Sequence, residues 1–237
     1  MRTTLVIARR QLASYFNGPA AYIVVCLMLG FLGFFFWQTF FLQGVTSVRN
    51  LYELVSVMLV VAAPALTMNL IAEEKRTGSI ELLLTMPVRD ADVIVGKLLG
   101  VLGLYVVFLA ITFVYPIAVS QFGNLDWGPV WSGYLGLFLQ GAAMLSIGLL
   151  ASSWTDNQVV AFFVGLILNF AFWFADRILP FLPRGLVTSV VEWLSFDRHL
   201  TPMTRGVVDT RDVVYFLSLT GFALLLAFRS LESRRWR

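Results

Sequence analysis

Long stretches without any charged side chain are the feature of this sequence that most limits its fold. A helix of about 20 apolar residues crosses the ~30 Å hydrocarbon core of a bilayer. Six stretches contain no Asp, Glu, Lys or Arg: residues 11–48, 54–72, 98–125, 127–155, 157–175 and 213–228. They predict six membrane-spanning helices, over about residues 20–42, 52–72, 95–120, 130–151, 158–179 and 213–229.

The composition supports a membrane protein and excludes an ordinary soluble domain. Hydrophobic residues make up 59% of the chain and charged residues only 13%, against about 25% charged in a typical soluble domain. The chain has one cysteine, Cys26, within an apolar stretch, so an internal disulfide framework is excluded. We expect one all-α transmembrane domain over residues 1–237.

The distribution of Lys and Arg predicts the orientation of the six spans. With both termini inside, eleven of these residues fall in inner segments and six in outer segments. Positive residues accumulate on the cytoplasmic side of membrane proteins. The sequence therefore predicts a chain with its N- and C-termini in the cytoplasm.

A short helix is predicted ahead of the first span, over residues 3–16. Leu5, Ala8, Leu12 and Tyr15 repeat at helical spacing, and the arginines lie off that face. This pattern favours a helix lying on the inner membrane surface. No cleavage site of the A-x-A kind follows the first apolar stretch, so we expect this segment to remain in place.

The first inner loop, residues 73–92, combines many charges with an apolar centre, "GSIELLLTMP". Exposed apolar side chains in such a cluster are usually covered by a bilayer or another protein. Thr77 or Gly78 can begin a helix there, Pro87 would end it, and Asp90 can cap the next helix. We predict a short helix that docks onto a partner; the alternative is a merely solvated loop.

The long outer loop, residues 180–212, contains a second amphipathic segment, "GLVTSVVEWLSF". A helix there would place four apolar residues on one face, and it could gate an exit, bind an outer partner or anchor the chain at the membrane surface. The four apolar residues on this face are Leu186, Val190, Trp193 and Leu194.

His199 has no companion ligands in the sequence, so we predict a hydrogen bond at a helix end and no metal site.

The sequence lacks the motifs of a nucleotide-binding or catalytic protein. No G-x-x-x-x-G-K-[ST] pattern occurs, and no nucleophile, acid–base pair or metal cluster has suitable spacing. We expect no bound cofactor, no catalytic residues and no nucleic-acid partner. The predicted spans hold few ionisable side chains, which gradient-driven carriers usually need. These features favour an external motor.

The first loop also carries a resemblance to a known family. "EEKRTGSIELLLTMPVRDADVIVGKLLG", residues 73–100, resembles the inner loop of ATP-binding-cassette (ABC) type-2 permeases, in which E-x-x-x-G-[ST]-[IL]-E-x-L-L-[ST]-x-P precedes a span. "RRQLASYFNGPAAYIV" resembles the N-terminal helix of the same family. "RGVVDTRDVVYF" and "LESRRW" resemble the gliding-motility branch.

The resemblance implies a type-2 exporter fold with short outer helices and a bacterial inner-membrane location. It also implies a second permease copy, an ABC ATPase subunit that binds ATP and Mg²⁺, and an auxiliary protein with an extracytoplasmic part. A minor ATPase contact is implied at Ser152–Gln158. The implied ATPase-coupling residues are Glu73, Glu74, Lys75, Arg76, Thr77, Gly78, Ser79, Ile80, Glu81, Leu82, Leu83, Leu84, Met86 and Pro87.

Two other functions remain open at this point. The chain could be half of an ion-coupled carrier or a channel, although its spans are nearly uncharged. It could also be a membrane-embedded, lipid-modifying enzyme, although the residues for such chemistry do not cluster in the sequence. A permease should bind a soluble ATPase, whereas a carrier or an enzyme should not.

Overall fold

The computed structural model describes residues 2–43, 48–78, 90–181, 183 and 185–232. Within these ranges the regular structure is helical and no β-strand occurs. A short 3₁₀ turn, Leu179–Phe181, follows the helix that ends at Ile178. The α-helices are α1 (Arg2–Asn17), α2 (Pro19–Gln43), α3 (Arg49–Thr67), α4 (Asn69–Arg76), α5 (Asp90–Thr112), α6 (Val114–Phe122), α7 (Trp127–Trp154), α8 (Gln158–Ile178), α9 (Leu186–Leu194), α10 (Phe196–Thr204) and α11 (Thr210–Glu232).

Six helical segments in the described chain are long and apolar enough to cross a membrane, which confirms the all-α class and the six spans. They are α2, α3 with α4, α5 with α6, α7, α8 with its 3₁₀ turn, and α11. The second span continues to Arg76 and the third begins at Asp90. The helical parts of both spans therefore extend into the predicted loop 73–92 from either side.

A proline explains the interruption of the third span. Proline has no N–H to donate, and its ring clashes with the carbonyl four residues earlier. Four residues before Pro116 is Thr112, the last residue of α5, and helix resumes at Val114 as α6.

Helix α7 forms the centre of the bundle, and most of its residues are buried. It packs mainly against α3, α8 and α11. Glycines on α7 admit large aromatic rings from its neighbours: a Cβ on Gly133 would lie 2.5 Å from the ring of Tyr52, and one on Gly141 would lie 2.2 Å from that of Tyr105. Small residues that permit such close approach are typical of helix contacts within membranes.

Helix α1 packs against α5, and the predicted apolar face is correct except at its first residue. Leu12 lies against Gly103 of α5 and Tyr15 is buried, whereas Leu5 is 66% exposed. Ile7 and Gln11 also lie against glycines of α5, Gly96 and Gly100, which leave room for the stem of a polar side chain. Contact with the membrane surface stays a prediction.

The two ends of the bundle carry different elements. One end, which we call the inner end, holds the end of α4, the start of α5, the α7–α8 turn and the end of α11, joined by hydrogen bonds described below. The other, the outer end, holds α9 and α10. The α1 helix lies at the inner end, because Thr4 donates a hydrogen bond to Asp92 at 2.7 Å.

Candidate functional site

The predicted coupling segment begins inside a helix. Glu73 to Arg76 are the last residues of α4, Thr77 is its C-cap, and Gly78 follows with φ +70°. A glycine in this left-handed conformation commonly terminates a helix. Thr77 and Gly78 thus end α4, and the helix predicted to begin there lies outside the described residues. The remaining predicted residues lie outside the described ranges: Ser79, Ile80, Glu81, Leu82, Leu83, Leu84, Met86 and Pro87.

The start of α4 is held by a serine from the central helix. The hydroxyl oxygen of Ser152 accepts hydrogen bonds from the backbone N–H groups of Ile71 and Ala72, at 3.1 and 3.0 Å, and donates to the carbonyl of Met68 at 2.9 Å. Ser152 is fully buried. It supplies an acceptor for the first turn of α4, where helices lack acceptors of their own.

The next residue of α7 joins three helices. The carbonyl oxygen of Ser153 accepts hydrogen bonds from the ammonium group of Lys75 and from the hydroxyl of Ser230, the latter at 2.9 Å. Lys75 lies on α4 and Ser230 on α11. The end of α7 thus ties the flank of the coupling segment to the last span.

The structure brings together the two inner segments predicted to contact a partner. Glu73 accepts a hydrogen bond from Arg76 at 2.8 Å and another from the amide of Gln158, at the start of α8. A cavity of about 380 Å³ lies beside this junction, lined by Arg76, Asp156, Asn157, Gln158 and Val159. The end of α4 and the α7–α8 turn therefore form one continuous surface.

A buried lysine lies at the same end and was not assigned a role from the sequence. The Lys97 side chain is only 4% exposed, and its ammonium group lies 2.7 Å from a carboxylate oxygen of Glu74. It also donates to the carbonyl oxygen of Leu70. The sequence contained one signal that could have identified Lys97, namely a cation in the second turn of an apolar span. A charge in such a position is costly and usually marks a functional residue.

At the outer end, α9 presents apolar side chains outward. Leu186 is 87% exposed, and Val190 and Trp193 are more than half exposed, whereas Leu194 is half-buried. The four predicted residues do fall on a helix, Leu186–Leu194. Their role as a gate or partner surface stays a prediction.

The single histidine joins α9, α10 and α11. One ring nitrogen of His199 lies 2.7 Å from a carboxylate oxygen of Asp212, and the other lies 3.1 Å from the carbonyl oxygen of Trp193. Its ring stacks on Tyr215 at 3.9 Å. Both ring nitrogens of His199 therefore have a hydrogen-bond partner. The prediction of a helix-end hydrogen bond is confirmed.

A second acidic residue at the outer end is held by an arginine. Asp197 lies 2.8 Å from the guanidinium group of Arg177, which stacks over the ring of Trp173. Burial raises the pKa of Asp197, and the charge of Arg177 opposes this shift. The pair links α8 to α10.

A family model decides the class of protein. The model described as ABC-2 family transporter protein matches residues 39–196, well over half of the chain. The chain belongs to the ABC-2 transporter family. The match includes α3 to α9, and hence the coupling segment and the α7–α8 turn. No relative is found among curated proteins.

As an ABC-2 permease, the chain is a multi-pass membrane component of a transporter. Membership in this family implies an ABC ATPase as a partner and a lipid bilayer as the environment. At the flank of the coupling segment, Arg76, Thr77 and Gly78 are exposed, whereas Leu70, Ile71 and Ala72 in the first turn of α4 are buried.

Proposed function

We propose that the chain is one of two paired permease subunits in an ATP-driven exporter or force-transmitting complex of the bacterial inner membrane. A separate ATPase subunit binds ATP and Mg²⁺ and receives residues Glu73–Pro87. An auxiliary protein with an extracytoplasmic part meets the outer end, and the sequence resemblance favours the gliding-motility branch.

One observation supports the part of this proposal that concerns the inner end of the bundle. The end of α4 is hydrogen-bonded to the α7–α8 turn through Glu73 and Gln158, beside an open cavity. A partner surface that covers the apolar segment after Gly78 would also contact this turn. The motion of the partner would reach the second, fourth and fifth spans directly, because α4 continues α3 and is bonded to α7.

The competing function of an ion-coupled carrier has less support. Such carriers rely on ionisable groups placed along the spans. Among the described residues, the buried charged side chains are Lys97 and Asp212. Each lies within the first turns of its helix and bonds to a neighbouring group, so neither forms a relay near the middle of a span.

The test replaces the apolar centre of the coupling segment. We expect the double variant Leu82→Asp/Leu84→Asp to insert normally but to lose the co-purifying ATPase, because charges would oppose burial in an apolar cleft. The matched control is Val207→Asp/Val208→Asp at the outer end, where both valines are exposed. The measurement is the amount of ATPase recovered with the membrane-inserted permease.

Recovery of the ATPase with the Leu82/Leu84 variant would show that this segment is not the docking element. If the wild-type permease itself purifies without an ATPase and conducts solute alone, the proposed function is wrong. An equal loss in the valine control would point to a general defect in assembly.

A further inference from the structure

Lys97 connects the two helices that flank the coupling segment. It lies in the second turn of α5, whereas both groups that its ammonium contacts, Glu74 and the carbonyl of Leu70, lie on α4. The chain between the described ends, residues 79–89, separates these helices in sequence. One side chain therefore bridges the base of the segment.

The bridge matters because the second and third spans have little other direct contact. Helix α3 packs mainly against α2, α7 and α8, and α4 packs against α7 and α8. Helix α5 packs mainly against α1, α7 and α11. Neither α3 nor α4 has an extensive backbone interface with α5 among the described residues, and the long side chain of Lys97 reaches from α5 to α4.

Stability alone is a weak explanation for this ion pair. Burying an ammonium group costs free energy, and replacing a buried ion pair by apolar residues is often neutral or stabilising. The ion pair instead sets the relative position of two helices. The 2.7 Å contact with Glu74 and the hydrogen bond to Leu70 fix the end of α4 relative to the start of α5.

We propose that Lys97 is a positioning residue that joins α4 to α5, so that a displacement of the coupling segment moves the second and third spans together. The proposal rests on the proposed function, since it takes this segment as the point where the ATPase acts. Without the bridge, the segment would still pull on both helices through the chain, but α4 and α5 could then move independently of each other.

The experiment uses the full-length permease with its ATPase in lipid nanodiscs. Cysteines for spin labels replace the exposed residues Thr77 and Ala91, on the two sides of the segment, in a Cys26→Ala background. Double electron–electron resonance then measures the distance between the labels. The test variant is Glu74→Gln/Lys97→Met, which removes both charges and so leaves neither one buried without its partner.

Two further variants serve as controls. Arg229→Met/Glu232→Gln removes a comparable ion pair from α11 at the inner end, 3.1 Å long and exposed. Lys97→Arg keeps the positive charge and should restore the bridge. We expect a single narrow distance in the wild type and in both controls, and a broadened distribution in Glu74→Gln/Lys97→Met. An equally narrow distribution in the test variant would overturn the proposal.

A nucleotide-dependent measurement separates this proposal from the proposed function. A third label at exposed Val208 reports distances to Thr77 and to Ala91 before and after trapping with ATP and vanadate. The two distances should change together in the wild type, whereas in the test variant the ratio of the two changes should differ from that of the wild type. If both distances change in the test variant as they do in the wild type, Lys97 does not join the helices. If the wild type binds no ATPase, the proposed function fails, whereas the nucleotide-free distance still tests the bridge.

Discussion

Gly100 of α5 lies directly against Gln11 of α1. A Cβ atom on Gly100 would come within 2.6 Å of the Cβ of Gln11 and 3.1 Å of the carbonyl oxygen of Ala8. Contacts this short do not occur between real side chains, so the absence of a side chain at Gly100 is what permits the two helices to touch. The α1 helix is therefore attached to the third span by protein contacts.

A larger side chain at Gly100 should detach α1. We expect Gly100→Leu to destabilise the α1–α5 contact by about 1–3 kcal/mol, as overpacking usually does. Hydrogen exchange of the peptide covering residues 2–17 should become faster. The control is Gly221→Leu on α11, where a Cβ would meet no atom within 4 Å. Unchanged exchange in Gly100→Leu would contradict the packing described.

Removal of the Ser152 hydroxyl should loosen α4 locally. We expect Ser152→Ala to leave the N–H groups of Ile71 and Ala72 without this acceptor, at a cost of about 1–3 kcal/mol. The control is Ser146→Ala, because Ser146 is also fully buried but donates within its own helix, to Ala143 at 2.7 Å. Amide exchange at positions 71 and 72 should accelerate in the first variant only, and equal rates would argue against the cap.

A methyl group at Gly141 should disturb the core of the bundle. Its Cβ would lie 2.2 Å from the ring of Tyr105, which is buried and donates to the carbonyl of Leu137 at 2.8 Å. We expect Gly141→Ala to lower the thermal unfolding temperature in detergent. Gly30→Ala, in a helix with no atom within 4 Å of the new Cβ, should instead be neutral or stabilising by up to about 1 kcal/mol. The same loss in both variants would mean that the contact with Tyr105 does not cause the effect.

Replacement of the histidine should release the outer helix α9. His199→Phe keeps a ring to stack on Tyr215 but loses both hydrogen bonds and leaves buried Asp212 without this partner. The expected cost is about 1–3 kcal/mol, seen as faster proteolysis or hydrogen exchange over residues 186–194. Exposed Arg205→Gln is the control. If α9 keeps its protection in His199→Phe, the histidine does not hold it.

The spans were predictable because charge is excluded from the bilayer core. The uncharged stretches of the sequence predicted all six membrane-spanning segments, and Asp90 was correctly predicted at the start of a helix. The ends of the helices were less predictable, since a helix can continue beyond its apolar part. The second span does so as far as Arg76.

The individual contacts between helices could not be predicted from the sequence pattern. The spacing correctly placed Leu12 and Tyr15 on the packed side of α1, but it did not predict that the polar Gln11 would lie against Gly100. Glycine occurs at either end of a helix, and only the backbone angle φ of Gly78 assigns this residue to the end of α4. The partner of Lys97 lies 23 positions earlier, across the loop, so no local pattern could identify it.

The central position of α7 has a consequence for how the protein is made. Helix α7 is covered by α3, which precedes it in the chain, and by α8 and α11, which follow it. A nascent chain that has just released its fourth span must therefore leave that helix facing lipid or the insertion machinery until the sixth arrives. We conclude that truncation before Thr210 would leave the side of α7 that packs against α11 uncovered in the bilayer.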